Sequence, residues 1–140
     1  MVNFEGFWST VLSSLKDGIE KHSRDYDVIL GEVNTNNLKY PSAHIIPETS
    51  NYQDGGRYQD VITVNFYFER NTDGGQDIIS NLEDVEETID DIIIELGKNK
   101  YIGEYKVDDV EFLAGEVGQL IDIISVSFFV TKLIDYAEVE

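Results

Sequence analysis

Two histidines, His22 and His44, are the side chains of this sequence best suited to proton transfer or metal ligation, and they stand far apart in the chain. His22 ends an apolar-periodic segment, where an imidazole more readily meets the last helix carbonyls than a metal. His44 lies in an extended segment between Pro41 and Pro47. No site shared by the two is expected. Carboxylates are abundant, and Glu86 with Glu87, Asp90 with Asp91 and Asp108 with Asp109 form adjacent pairs that invite a metal or acid-base reading. A cation cage needs oxygen ligands that converge on one point. Glu83, Glu87, Asp90 and Asp91 instead share the polar face of a helix opposite an aliphatic stripe, which reads as a solvated face. The stretch "NTDGGQD" at residues 71–77 faintly resembles a calcium loop. It lacks the spaced acceptors and distal glutamate of such a loop, and the lysine and hydroxyl residue of a phosphate loop. It reads as a strand-to-helix turn with Thr72 or Asp73 as helix cap. There is no cysteine, hence no disulfide, thiolate ligand or cysteine nucleophile. No nucleophile elbow, zinc spacing or dinucleotide fingerprint occurs. The expectation is a protein that is not an enzyme, with no cofactor and no metal site.

Charge is the strongest compositional feature: 28 Asp and Glu against 10 Lys and Arg give a formal net charge of -18. Affinity for DNA rests on Lys and Arg displacing counterions from phosphates, so tight DNA binding is not expected. An acidic wall would still let a polyanion pass without sticking. Adaptation to high salt is the other reading, because the acids are spread along the whole chain. Abundant isoleucine, and lysine outnumbering arginine, argue against an extreme halophile. At 140 residues with 41% hydrophobic composition, one folded domain over residues 1–140 is expected. No apolar run approaches the roughly 20 residues that span a bilayer, and "MVNFEGFWST" lacks the basic segment of a signal peptide.

The elements that would carry these residues follow from periodicity. Phe4, Phe7, Trp8, Val11, Leu12, Leu15 and Ile19 predict a helix over about residues 3–23. Ile78, Leu82, Val85, Ile89, Ile92 and Leu96 step by fours and threes, with Ile79 and Ile93 widening the stripe, and predict a second helix. Gly97 is expected to close it in a left-handed conformation. "LKYPSAHIIPET" predicts a strand at an edge or with irregular ends, because of its two prolines. "YQDVITVNFYFER" alternates, with Ile62, Val64, Phe66 and Phe68 on one face, and "YKVDDVEFLAGEV" and "QLIDIISVSFFVTKL" read as a hairpin through "AGEVG". The predicted fold class is α+β, a single domain in the order α-β-β-α-β-β. Its mostly antiparallel four-stranded sheet would carry both helices on one face.

Two regions then stand out as candidate subunit contacts. A long inter-strand loop at about 47–58, within "PETSNYQDGGRYQD", holds Tyr52, Arg57 and Tyr58, residue types enriched at interfaces. The sheet face away from the helices should be polar if it met water. Val61 and Tyr67, with Ile121, Ile123, Phe129 and Leu133, resist that pattern, and the surplus points to coverage by another subunit.

"FWSTVLSSLK", "YPSAHIIPE", "DVITVNFYFE", "LEDVEETIDDIIIEL" and "VEFLAGEVGQLIDIISVSFFV" succeed one another as helix, proline-bearing strand, strand, long helix and hairpin. In this order the chain resembles the tail terminator, or tail completion, proteins of tailed bacterial and archaeal viruses. The resemblance implies a homo-oligomeric ring, commonly a hexamer, that caps the tail tube, ends its polymerisation and joins it to the neck and head-completion proteins. It further implies a virion protein assembled in the host cytoplasm, with DNA passing through its lumen and no membrane partner. Loops at ring contacts make Tyr52, Arg57 and Tyr58 candidates. Another tail-tube or neck protein, and a cellular regulatory module that binds a small molecule, are the competing expectations.

Overall fold

The computed structural model describes residues 7–21, 26–31, 39, 41–53, 57–69, 75–100, 102–114 and 121–132. Two helices, α1 (Phe7–Glu20) and α2 (Gly75–Gly97), accompany five strands, β1 (Asp27–Leu30), β2 (Ser42–Gln53), β3 (Arg57–Glu69), β4 (Ile102–Ala114) and β5 (Ile121–Lys132). One sheet runs β1-β2-β3-β5-β4. All its ladders are antiparallel except β1 against β2, which is parallel. The fold is thus α+β, built on one core, with five strands rather than four and the order α-β-β-β-α-β-β.

The extra strand is β1, whose four residues are too few to show a period. It lies along Ser42 to Ile45, with the Asp27 amide donating to the Pro41 carbonyl at 3.0 Å and the Gly31 amide to the Ile45 carbonyl at 2.8 Å. Gly31 takes φ 90°, a left-handed conformation glycine adopts without strain. β2 is therefore an interior strand over these residues, not an edge. Its prolines are harmless there: Pro41 precedes the strand, and Pro47 falls beyond the β1 ladder, where the register of β2 against β3 shifts by a bulge between Pro47 and Thr49.

That bulge also corrects the predicted long loop at about 47–58. The β2–β3 ladder resumes after it and continues to Tyr52↔Tyr58 and Gln53↔Arg57. Only residues 54–56, outside the described residues, join the strands. β5 pairs with β3 no further than Gln59 and β1 with β2 no further than Ile45. The far end of the hairpin thus extends as a two-stranded arm beyond its described neighbours.

Alternation decides which face is core. Ile62, Val64, Phe66 and Phe68 on β3, and Ile124, Val126, Phe128 and Val130 on β5, are fully buried on the helix side. They form one cluster with Val11, Leu15 and Ile19 of α1 and Val85, Ile92 and Leu96 of α2. Each such side chain contributes roughly 1.5–3 kcal/mol by leaving water. A one-residue slip would move a whole row to the other face, so the register is strongly specified.

The helices meet closely. A Cβ on Gly18 would stand 2.6 Å from the Ile92 Cα, so this contact requires a residue without a side chain. The buried side of α2 follows the expected stripe at Val85, Ile92 and Leu96 and differs from it in the first half. Asn81, Val85, Thr88, Ile92 and Leu96 face inward, whereas Ile79 and Leu82 are 50% and 38% exposed. Asn81 lies beneath the helix because it donates to Asp122 Oδ2 of β5 at 3.1 Å, both residues being buried. Thr88 returns its hydroxyl to the Asp84 carbonyl at 2.8 Å. Gly97 is not left-handed, since Gly31 is the positive-φ residue among the described residues. The Tyr105 hydroxyl lies over it, 2.7 Å from where a Cβ would stand, and this side-chain tip could shift to admit one. Residues 72 and 73, expected to cap α2, and the ends of the predicted first helix at residues 3–6 and 22–23 lie outside the described residues.

Candidate functional site

Two surfaces of the sheet are left without a layer over them among the described elements. The first is the face opposite the helices. Odd-numbered residues of β3 and β5 point to it, and the ladder pairs Val61 with Phe129 and Tyr67 with Ile123. Val61, Tyr67, Ile121, Ile123 and Phe129 are all half-buried and share this face, as their alternation predicts. Between them lie Asn65, Ser125 and Ser127, and Thr63, whose hydroxyl sits 3.4 Å from the Ser127 hydroxyl. The centre of the face carries no charged residue from Val61 to Tyr67 on β3, nor from Ile123 to Thr131 on β5. In a chain of net charge -18, that is a neutral island.

Towards β2 the face closes on itself. Ser42 and His44 are buried, and the His44 ring lies against Tyr67 with centroids 4.6 Å apart. The Ser42 hydroxyl stands 3.5 Å from His44 Nε2. His44 is thus packed by an aromatic ring and a hydroxyl, the surroundings of a structural histidine. Towards β4 the island ends in charge: Glu104, Lys106, Asp109 and Glu111 pair with β5 residues of this face. Lys106 places its ammonium 5.1 Å from the Phe129 ring centroid, a cation–π contact that partly covers the ring.

Of the other predicted contact residues, Tyr52, Arg57 and Tyr58 lie on paired backbone of the hairpin arm rather than in a free loop. Leu133 lies outside the described residues, as does His22. Among the described residues, no three His, Asp or Glu side chains come together in a way that could hold a metal ion. None of the described helices is long and apolar enough to cross a membrane.

The second surface is a groove between the first half of α2 and β4. Residues 105, 107, 110 and 112 of β4 pair with inner-face residues of β5, so they belong to the helix side of the sheet. Neighbouring strands lie about 4.8 Å apart and a helix is about 10 Å wide, so two helices cover about four strands of five. The close Gly18 contact narrows the helix layer further. β4, at the sheet edge, lies against α2 for only part of its length. At one end it still meets α2, through Tyr105 below Gly97. At the other end Val110 and Phe112 are 46% and 45% exposed, and Val110 stands across from the exposed Ile79 and Leu82. Between them runs an open groove of about 360 Å³, lined by Ile79, Leu82, Val85, Ile89, Val110 and Ile124 with Glu83 and Glu86. The alternation of Val107, Val110 and Phe112 interrupted by the bulge at Asp108 was the available sequence signal, and it is a weak one.

Two ion pairs meet at the opposite end of α2. Glu95 accepts from Lys21 of α1 and from Lys98, the latter at 3.2 Å. Hydrogen bonds from Lys21 and then Lys98 hold the Glu95 carboxyl below its ordinary range, and the Glu95 bond raises the Lys21 ammonium above its own. No protein-family model matches the chain, and a search among curated proteins returns no match.

Proposed function

We propose that this protein is a structural subunit of a virion, a tail terminator whose copies form a ring that caps the tail tube and joins it to the neck. The observation that carries this reading is the neutral, half-apolar outer face of β3 and β5 on an otherwise strongly acidic chain. Copies of such a chain repel one another over most of their surface, and that repulsion vanishes only where carboxylates are missing. Val61, Tyr67, Ile121, Ile123 and Phe129 would lie in the subunit contact, flanked by the hairpin arm that bears Tyr52, Arg57 and Tyr58. The order helix, proline-bearing strand, strand, long helix and hairpin supports the same reading. The role is assembly, not catalysis. The tail-tube and neck proteins are the expected partners, the acidic remainder of the ring lets DNA pass, and the site of action is the virion after assembly in the host cytoplasm.

Native mass spectrometry and electron microscopy of the purified chain, at low and high salt, test the proposal. Rings of about six subunits support it. A monomer at every salt concentration, also in the presence of tail-tube protein, would sink it.

A further inference from the structure

We propose that the groove between α2 and β4 is a docking site for a basic amphipathic helix of another protein. The inference does not depend on the ring reading, because it rests on a different surface.

The groove has the form of a missing layer. Ile79 and Leu82 on one wall, with Val110 on the other and the exposed Phe112 next along β4, are apolar side chains left at the border of the sheet. A third helix laid beside α2 would cover both walls and complete the helix layer over β4. From Ile79 to Ile89 the groove runs along α2 for about 15 Å at 1.5 Å per residue, room for roughly three helical turns. Addition of a strand fits less well. The exposed atoms are side chains, and bulges between Ile102 and Glu104 and between Val107 and Asp109 break the regularity of the β4 ladder.

Charge selects among helices. Glu83 and Glu86 line the groove, and α2 contains no Lys or Arg along its whole length. The β4 segment from Val107 to Ala114 contains none either, while it holds Asp108, Asp109 and Glu111. The Lys106 ammonium is engaged over Phe129 on the opposite face, and Lys21 and Lys98 are engaged at Glu95. Among the described residues, the groove is therefore lined by negative charge without a cation on its walls. A second copy of the chain brings net charge -18 and is repelled. A helix with apolar residues at i, i+3, i+4 and i+7 and Lys or Arg on its flanks meets both the apolar floor and the acidic rim.

The probe is a labelled peptide of about fourteen residues, long enough to form a helix, with Leu at those helical positions and Lys elsewhere. Its scrambled counterpart has the same composition and charge, and a third peptide replaces each Lys by Glu. Fluorescence anisotropy with the full chain is expected to show at least about tenfold tighter binding of the amphipathic basic peptide than of either counterpart. Val110→Ser and Ile79→Ser, at exposed positions, are expected to weaken it about tenfold with unchanged circular dichroism, and Glu104→Gln, on the other face, to leave it unchanged. Equal binding of the scrambled peptide, or unaltered binding by both groove variants, would reduce the effect to general attraction and overturn the proposal. Tighter binding of the Glu peptide would overturn it on charge. Loss of self-association in Val110→Ser would give the groove to a second copy, with the same consequence.

Discussion

The outer face of β3 and β5 and the groove beside β4 are both apolar surfaces without a covering layer, yet they differ in what surrounds the apolar side chains. On the outer face the neighbours within β3 and β5 are Ser125, Ser127, Thr63 and Asn65, all neutral, and charge begins only at β4 with Glu104, Lys106, Asp109 and Glu111. In the groove they are Glu83 and Glu86, with no cation on either wall among the described residues. Apolar area is similar in kind on both, so charge is what assigns the partner. A neutral island tolerates a copy of the same acidic chain, whereas an acid-rimmed groove excludes the copy and favours a basic stranger.

The comparison breaks most visibly if a carboxylate is moved across it. Asn65→Asp places a charge in the middle of the island, between His44 and Ser125, and self-association is expected to weaken about a hundredfold by analytical ultracentrifugation, with the monomer still folded. Leu82→Asp, which adds the same charge at the groove, is expected to leave self-association unchanged. Equal effects would erase the distinction between the surfaces.

The next effect concerns how the groove's helical wall is held. The first half of α2 exposes Ile79 and Leu82, and its buried tether is the Asn81–Asp122 hydrogen bond. Asp122→Ala leaves the Asn81 amide short of this buried partner, and urea unfolding is expected to show a loss of about 1–3 kcal/mol. Asp122→Asn, which keeps an acceptor, should lose less. An Asp122→Ala variant as stable as the parent would mean that the tether is not what orients α2.

Salt should sharpen the contrast. From low to about 0.5 M sodium chloride, screening relieves carboxylate repulsion. The melting temperature is then expected to rise and self-association to hold or tighten, while the basic peptide is expected to bind several-fold more weakly. A flat melting temperature, or parallel responses of the two surfaces, would contradict the charge argument.

The smallest effect belongs to the paired end of α2. The lowered pKa of Glu95 adds stability above the ordinary carboxylate value, and this is lost as pH falls through the lowered folded value. The raised pKa of Lys21 adds stability below the ordinary lysine value, lost as pH rises through the raised one. Lys21→Met is therefore expected to flatten both limbs of the stability profile slightly, with least consequence in 1 M salt. Unchanged limbs would show that the pair does not contribute.

Much of this arrangement was legible in the residues, and what was not has identifiable causes. The two rows Ile62 to Phe68 and Ile124 to Val130 read correctly as core, since alternation reports directly on which face is buried. By the same alternation Val61, Tyr67, Ile121, Ile123 and Phe129 were placed together on the far face. β1 was missed because four residues carry no period, and the extent of the hairpin because Pro47 read as a terminator where a bulge absorbs it. The expected stripe of α2 holds at Val85, Ile92 and Leu96 and departs only in the first half, where Asn81 is buried and Leu82 exposed. Periodicity shows that a helix has an apolar stripe, but what lies beneath sets its rotation. Here Asp122 draws Asn81 inward and leaves Leu82 beside it in the groove. The groove lies where the first half of α2 turns Ile79 and Leu82 outward above Val110, a relation between distant segments that no local pattern records.

The ladder between β3 and β5 has a kinetic consequence. β2 with β3 and β4 with β5 are hairpins whose partners are near neighbours in sequence, while β3 with β5 joins residues separated by the whole of α2 and β4. Local hairpins close early, and the distant pairing bears the entropy of the long intervening chain. The centre of the finished sheet is thus expected to be the last seam to close in folding. Until it does, both hairpins expose the edges that meet there, and the crowding of nascent copies during synthesis is the moment at which this chain is most exposed to mispairing.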